Sequence, residues 1–134
     1  MNLVYDSNVL IAYLEDEPGA AEVEAMLADR SNVGFVHAMN LCEFFYHVRR
    51  KHGEQAAQDA YSGIQGLRLN VREDLDEEFW QAAGRIKADH ARISLADCLC
   101  IALANRIGAE VVTSDRHEME ALAKAGVFRA RFIR

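Results

Sequence analysis

The chain has 134 residues, a net charge of −6 and 51% hydrophobic content, enough apolar material to bury a core of single-domain size. The acidic balance excludes indiscriminate nucleic-acid binding, which Lys and Arg drive by neutralising phosphates, but leaves room for a nucleic-acid substrate at an acidic site. No long uncharged apolar run occurs anywhere, so the sequence predicts a cytoplasmic protein without a membrane span.

Asn2 to Tyr5 reads as a short strand and Ser7 to Leu14 as a helix that ends before the acidic turn at Glu15, Asp16 and Glu17. Pro18 opens a second helix, at the position where a missing N–H costs least, and that helix runs to about Arg30. Val33 to Val36 is the second strand. The next helix, from about Met39 to Lys51, sets Leu41, Phe44, Phe45 and Val48 on one face until Gly53 breaks it. A helix from about Glu54 to Ile64 follows, and Leu67, Leu69 and Val71 alternate as a third strand. Asp76 to His90 is a long amphipathic helix. Ser94 starts another that ends at Gly108, Val111 and Val112 form a fourth strand, Arg116 to Lys124 a helix, and Phe132 and Ile133 a final strand. Strands alternating with helices predict an α/β fold: a three-layer α/β/α sandwich around a mostly parallel sheet of about five short strands, with residues 1–134 as one domain. Cys42, Cys98 and Cys100 lack paired metal-ligand spacing and read as small buried hydrophobes. The basic groups Arg49 to His52 and Arg129, Arg131 and Arg134 read as a solvated helix end and tail.

Four acids stand where strands hand over to helices. Asp6 follows the first strand and Asp115 the fourth, Glu43 lies in the first turns of the helix after the second strand, and Asp97 sits in the apolar helix. In an open parallel sheet the carboxyl ends of the strands share one edge, so residues far apart in sequence meet there. Each acid also has an ordinary structural reading. Asp6 can cap the helix after it, Ser94-Leu-Ala-Asp97 and Asp115-Arg-His-Glu118 have capping-box spacing, and Glu43 fits a polar face with Asn40, His47 and Arg50. Capping does not explain why Asp97 is the only charge between Arg92 and Arg106. A carboxylate in so apolar a helix is desolvated and needs a cation or several donors. A divalent cation would stabilise the cluster, and hydrolysis of phosphate esters is its commonest use. Glu118 is either an added ligand or part of the cap. His37, His47 and His117 read as core or surface residues, because hard cations prefer oxygen.

Four stretches, Val4-Tyr-Asp-Ser-Asn-Val-Leu-Ile, Asn40-Leu-Cys-Glu-Phe, Ser94-Leu-Ala-Asp-Cys and Val112-Thr-Ser-Asp-Arg-His-Glu, occur in this order, and together the chain resembles the PIN-domain ribonucleases. The similarity is greatest to the VapC-type toxins of toxin–antitoxin pairs and spans the whole chain. It implies that Asp6, Glu43, Asp97 and Asp115 form an acidic quartet binding Mg²⁺ or Mn²⁺, with Asn8, Thr113 and Ser114 as polar support. It also implies hydrolysis of single-stranded RNA to a 5′-phosphate and a 3′-hydroxyl, a homodimer, and a small VapB-type antitoxin whose C-terminal segment blocks the site. Two alternatives belong to other classes: a PIN-like RNA-binding or scaffold protein without turnover, and a receiver-like phosphoacceptor domain. The second would need an acceptor Asp after the third strand and a Lys after the fifth. A nucleotide-binding module is disfavoured by Asp-Ser-Asn where a glycine-rich phosphate loop would stand.

Overall fold

Each short apolar strand is followed by a helix that returns the chain for the next strand, and such crossovers produce parallel pairing. In the computed structural model, which describes residues 1–134, the strands are β1 (Asn2–Tyr5), β2 (Val33–His37), β3 (Leu69–Arg72), β4 (Glu110–Thr113) and β5 (Ala130–Phe132). The helices are α1 (Ser7–Leu14), α2 (Ala20–Ala28), α3 (Ala38–His52), α4 (Glu54–Gln65), α5 (Glu77–Asp89), α6 (Leu95–Ile107) and α7 (Arg116–Lys124). The sheet order is β3-β2-β1-β4-β5 and every pairing is parallel, so the expected mostly parallel sheet is wholly so.

β1 is central, with Leu3 opposite Gly34 on one side and Glu110 on the other. The chain builds outward from β1 through β2 to β3, then crosses back to place β4 on the opposite side of β1. That reversal makes the carboxyl ends of β1 and β4 a topological switch point, where open α/β sheets form their crevices. Alternation along β1 divides the core. Leu3 and Tyr5 pack with residues of α1 to α4, whereas Val4 packs with residues of α5, α6 and α7. α6 is the most enclosed helix, with Ala96 and every residue from Cys98 to Ala104 buried. A Cβ at Gly34 would lie 2.7 Å from Leu69 Cδ2 and 3.2 Å from Tyr5 Cε2, so a larger residue would have to displace the Leu69 and Tyr5 side chains.

Several boundaries differ from the sequence reading. Pro18 does not open α2. Gly19 takes a left-handed conformation (φ 99°), caps the helix, and lies against Ile133. β3 begins at Leu69 rather than Leu67. β5 covers Ala130–Phe132, and Ile133 is fully buried just beyond it. Cys98 and Cys100 are buried, but Cys42 is exposed, because α3 packs through Asn40, Phe44 and Val48 and turns Cys42 outward. Phe45 and Leu41 are only partly buried at the margin of that stripe.

Candidate active site

Asp6 leaves β1 at the switch point. Its N–H donates to the Val112 carbonyl of β4 at 3.2 Å, and its Oδ1 accepts the Val9 N–H at 2.9 Å as the cap of α1. The residue is 1% exposed and Oδ2 has no hydrogen-bond partner. Burial pushes the Asp6 carboxyl up to about 7, and the charges of Asp97 and Asp115 add to that against the Thr113 hydroxyl and the Val9 N–H. A cap alone does not require an orphaned, deeply buried oxygen.

Asp97 occupies the third position of α6, and its N–H donates to Ser94 Oγ at 3.0 Å, so the predicted cap is formed. Burial raises its carboxyl above the ordinary range, and the charges of Glu43 and Asp115 raise it further, while Ser94 acts in the opposite direction. Glu43 is half-buried and accepts the Ser7 hydroxyl on Oε1 at 2.9 Å. Asp115 caps α7 by accepting the Glu118 N–H on Oδ1 at 3.1 Å, and its own N–H donates to Thr113 Oγ1 at 3.1 Å. Thr113 thus takes the place that a Glu118 carboxylate would fill in a reciprocal capping box. Glu118 itself is half-buried with Oε1 3.6 Å from His117 Nε2. Asn8 is exposed and Ser114 half-buried.

Asp97 therefore lies within electrostatic reach of the other three acids, and Asp6 also within reach of Asp115. Beneath them Cys100 is fully buried, its thiol pushed well above the ordinary range first by burial and then by the charges of Asp6, Asp97 and Glu43. Nevertheless, no three His, Cys, Asp or Glu side chains are grouped tightly enough to grip one ion, so holding one requires side-chain movement. The donor set still suits a hard divalent cation. It offers carboxylate oxygens, one of them buried without a partner, in surroundings that disfavour the uncompensated charge.

The histidines are engaged elsewhere. His37 is buried, takes the Met39 N–H on Nδ1 at 3.1 Å as the cap of α3, and presents Nε2 to the Asp74 carbonyl at 3.0 Å. His47 faces Glu15 at 3.3 Å and His117 is exposed. Ser7 and Asn40 join the site although neither was singled out in the sequence as a site residue. Asn40 had one visible sign, a polar residue four positions before Phe44 and eight before Val48 in a buried helical stripe.

The PIN domain family matches residues 3–125. This chain belongs to the PIN domain family. No curated protein matches it. Solved PIN-like structures share its fold. VapBC2 from Rickettsia felis, bound to a DNA fragment from its promoter, has a TM-score of 0.79 at 16% identity and covers 100% of both chains. DNA-bound VapBC from Salmonella typhimurium gives 0.73 at 19% identity over 98% of each chain. Mycobacterium tuberculosis VapC20, described as a Sarcin-Ricin loop cleaving toxin, gives 0.65 at 17% identity over 84% of this chain and 91% of its own. The receiver-like alternative fits poorly with the PIN architecture. Receiver sheets run 2-1-3-4-5, whereas this one runs 3-2-1-4-5, and Asp74 beyond β3 is locked by Arg72 and Arg106 rather than free to accept phosphate.

Proposed function

We propose that residues 1–134 form a single catalytic domain, a metal-dependent endoribonuclease that acts as the toxin of a type II toxin–antitoxin pair. The observation that carries this reading is the buried, unpartnered Oδ2 of Asp6 at the switch point, set among three further carboxylates. Asp6 and Asp97 would be the principal holders of Mg²⁺ or Mn²⁺, with Glu43 and Asp115 completing the negative wall. When bound, a divalent ion supplies the charge that polarises a phosphodiester and makes water acidic enough to attack phosphorus at neutral pH. The chain's own part is orientation. Ser7 fixes Glu43 and Thr113 holds the Asp115 backbone.

RNA is favoured as the substrate by membership of the PIN domain family, and the Sarcin-Ricin loop cleaving activity named for VapC20 supports it. The VapBC complexes among the structural relatives support a VapB-type antitoxin as partner, and an acidic site would receive an arginine from such a partner as readily as a metal ion. Single-stranded RNA, homodimerisation and action in the cytoplasm belong to the same reading. No helix is long and apolar enough to cross a membrane.

The test is cleavage of total cellular RNA by the purified protein with Mg²⁺ or Mn²⁺ and with EDTA, beside Asp97→Asn checked for unchanged folding. Metal-dependent cleavage that disappears in the variant is the expected result. Cleavage persisting in EDTA or in the variant would refute the assigned site, and RNA binding without cleavage would favour the non-catalytic alternative.

A further inference from the structure

Asn40 is fully buried at the head of the stripe through which α3 packs into the core. An amide in such surroundings is costly unless it is hydrogen-bonded, so its partners are informative. Oδ1 accepts the N–H of Ser7 at 3.3 Å, and that nitrogen belongs to the peptide unit immediately after Asp6. Nδ2 donates to the Ala96 carbonyl at 3.4 Å, and that oxygen belongs to the peptide unit immediately before Asp97. Glu43 is one turn further along α3, on the same helix as the amide. One side chain thus joins the backbone segments that carry three of the four acids. The Ser7 that it holds also donates its hydroxyl to Glu43 at 2.9 Å.

We propose that Asn40 is a positioning residue that sets the spacing of Asp6, Glu43 and Asp97, and through that spacing the affinity of the site for a divalent ion. This role rests on the ion-binding reading of the site given above. The amide is chemically specific, because one contact needs an acceptor and the other a donor. An ionised carboxylate supplies only the first and an aliphatic side chain neither. Both bonds are long for N–H···O and each adds little net stability; the constraint comes from one amide meeting a donor on α1 and an acceptor on α6. A variant should therefore lose ion binding out of proportion to any loss of folding.

The test titrates metal-free protein with Mn²⁺ in the absence of RNA, following free Mn²⁺ by electron paramagnetic resonance, and then measures RNA cleavage. Asn40→Leu is compared with Asn40→Thr, whose shorter hydroxyl can both accept and donate. Val48→Ala serves as a packing control from the same stripe. Asn40→Leu is expected to weaken Mn²⁺ binding about 10- to 100-fold, the range for groups that orient metal ligands, and to lower kcat with KM for RNA nearly unchanged. Asn40→Thr is expected to lie between Asn40→Leu and the parent, whereas Val48→Ala lowers Tm and keeps Mn²⁺ affinity. Parental Mn²⁺ affinity in Asn40→Leu overturns the role, as does an equal loss of affinity in Val48→Ala at matched Tm. If Asn40→Leu does not fold, Asn40→Thr decides: reduced affinity supports the role and parental affinity overturns it. A parent protein that neither binds Mn²⁺ nor cuts RNA overturns the proposed function itself and this role with it.

Discussion

Asp74 and Asp76 stand beyond the end of β3 with two arginines fitted among them, whereas Asp6, Glu43, Asp97 and Asp115 gather around the ends of β1 and β4 without an ion pair. In the first group Arg72 contacts both Asp74 oxygens at 2.9 Å, and Arg106 reaches Asp74 at 2.9 Å and Asp76 at 2.6 and 2.7 Å. Arg106 also lies 5.3 Å from the centre of the Phe79 ring, which stacks on His37. The Arg72 hydrogen bonds foremost, with those of Arg106, bring the Asp74 carboxyl down to about 2 despite its burial. In the second group burial and like charge push Asp6 up to about 7. The same residue type is compensated from within the chain at one place and left uncompensated at the other. Where the chain supplies the cation, the acids tie α5 and α6 to the end of β3; where it supplies none, they are available to a ligand.

The largest effect should come from removing an uncompensated acid. Asp6→Asn or Asp97→Asn is expected to lower metal-dependent RNA cleavage by on the order of 10³-fold, since each removes a principal holder of the ion. In circular-dichroism melts of metal-free protein above pH 7, Asp6→Asn should raise Tm, because it deletes a buried charge without deleting packing volume.

The two groups should also give pH dependences of opposite sign. From about pH 4 to about pH 7 the folded chain retains a proton on Asp6 that the unfolded chain has released. Metal-free stability contributed by this group therefore falls with rising pH across that window, by on the order of 4 kcal/mol, and levels off above it. Melts at a series of pH values should show that slope in the parent and not in Asp6→Asn. Saturating Mg²⁺ should oppose it, by about 2.7 kcal/mol at 100 times Kd. Asp74 is depressed instead, so its contribution is complete at neutral pH and lost as pH drops from about 4 toward 2.

Arg106→Met tests the compensated group. It should lower Tm, since Asp74 and Asp76 lose their shared partner, while cleavage stays within about threefold of the parent because no site residue is touched. A large loss of cleavage at full folding would show that the two groups are coupled. The smallest effect is expected for Glu118→Gln. The backbone N–H of Glu118, not its carboxylate, completes the α7 cap, so cleavage should change by less than about threefold.

The strands and most helix ends were legible because local chemistry marks them: Ser94 as an accepting cap, Gly53 and Gly108 as stops. That the four acids gather was legible for a related reason, since Asp6 and Asp115 follow strands and Asp97 and Glu43 lie in the first turns of helices, positions that a parallel sheet brings to one edge. Gly19 was not, because its conformation is coupled to Ile133 at the far end of the chain. Asn40 escaped for the same cause, its partners being 33 and 56 residues away. The α3 face read from Leu41, Phe44, Phe45 and Val48 held at Phe44 and Val48, but Asn40 rather than Leu41 or Phe45 completes the buried stripe, and Cys42, read as a buried hydrophobe, faces out.

The central place of β1 has a consequence for the order in which the chain is made. Asp6 is made well before β4, yet its backbone is pinned to Val112 and its carboxyl stands beside Asp97 and Asp115. A nascent or prematurely terminated chain that stops before β4 lacks one wall of the cluster and the strand that orients the other. The four acids can come together only once residue 115 has joined the fold, so a fragment that stops before β4 does not assemble the cluster.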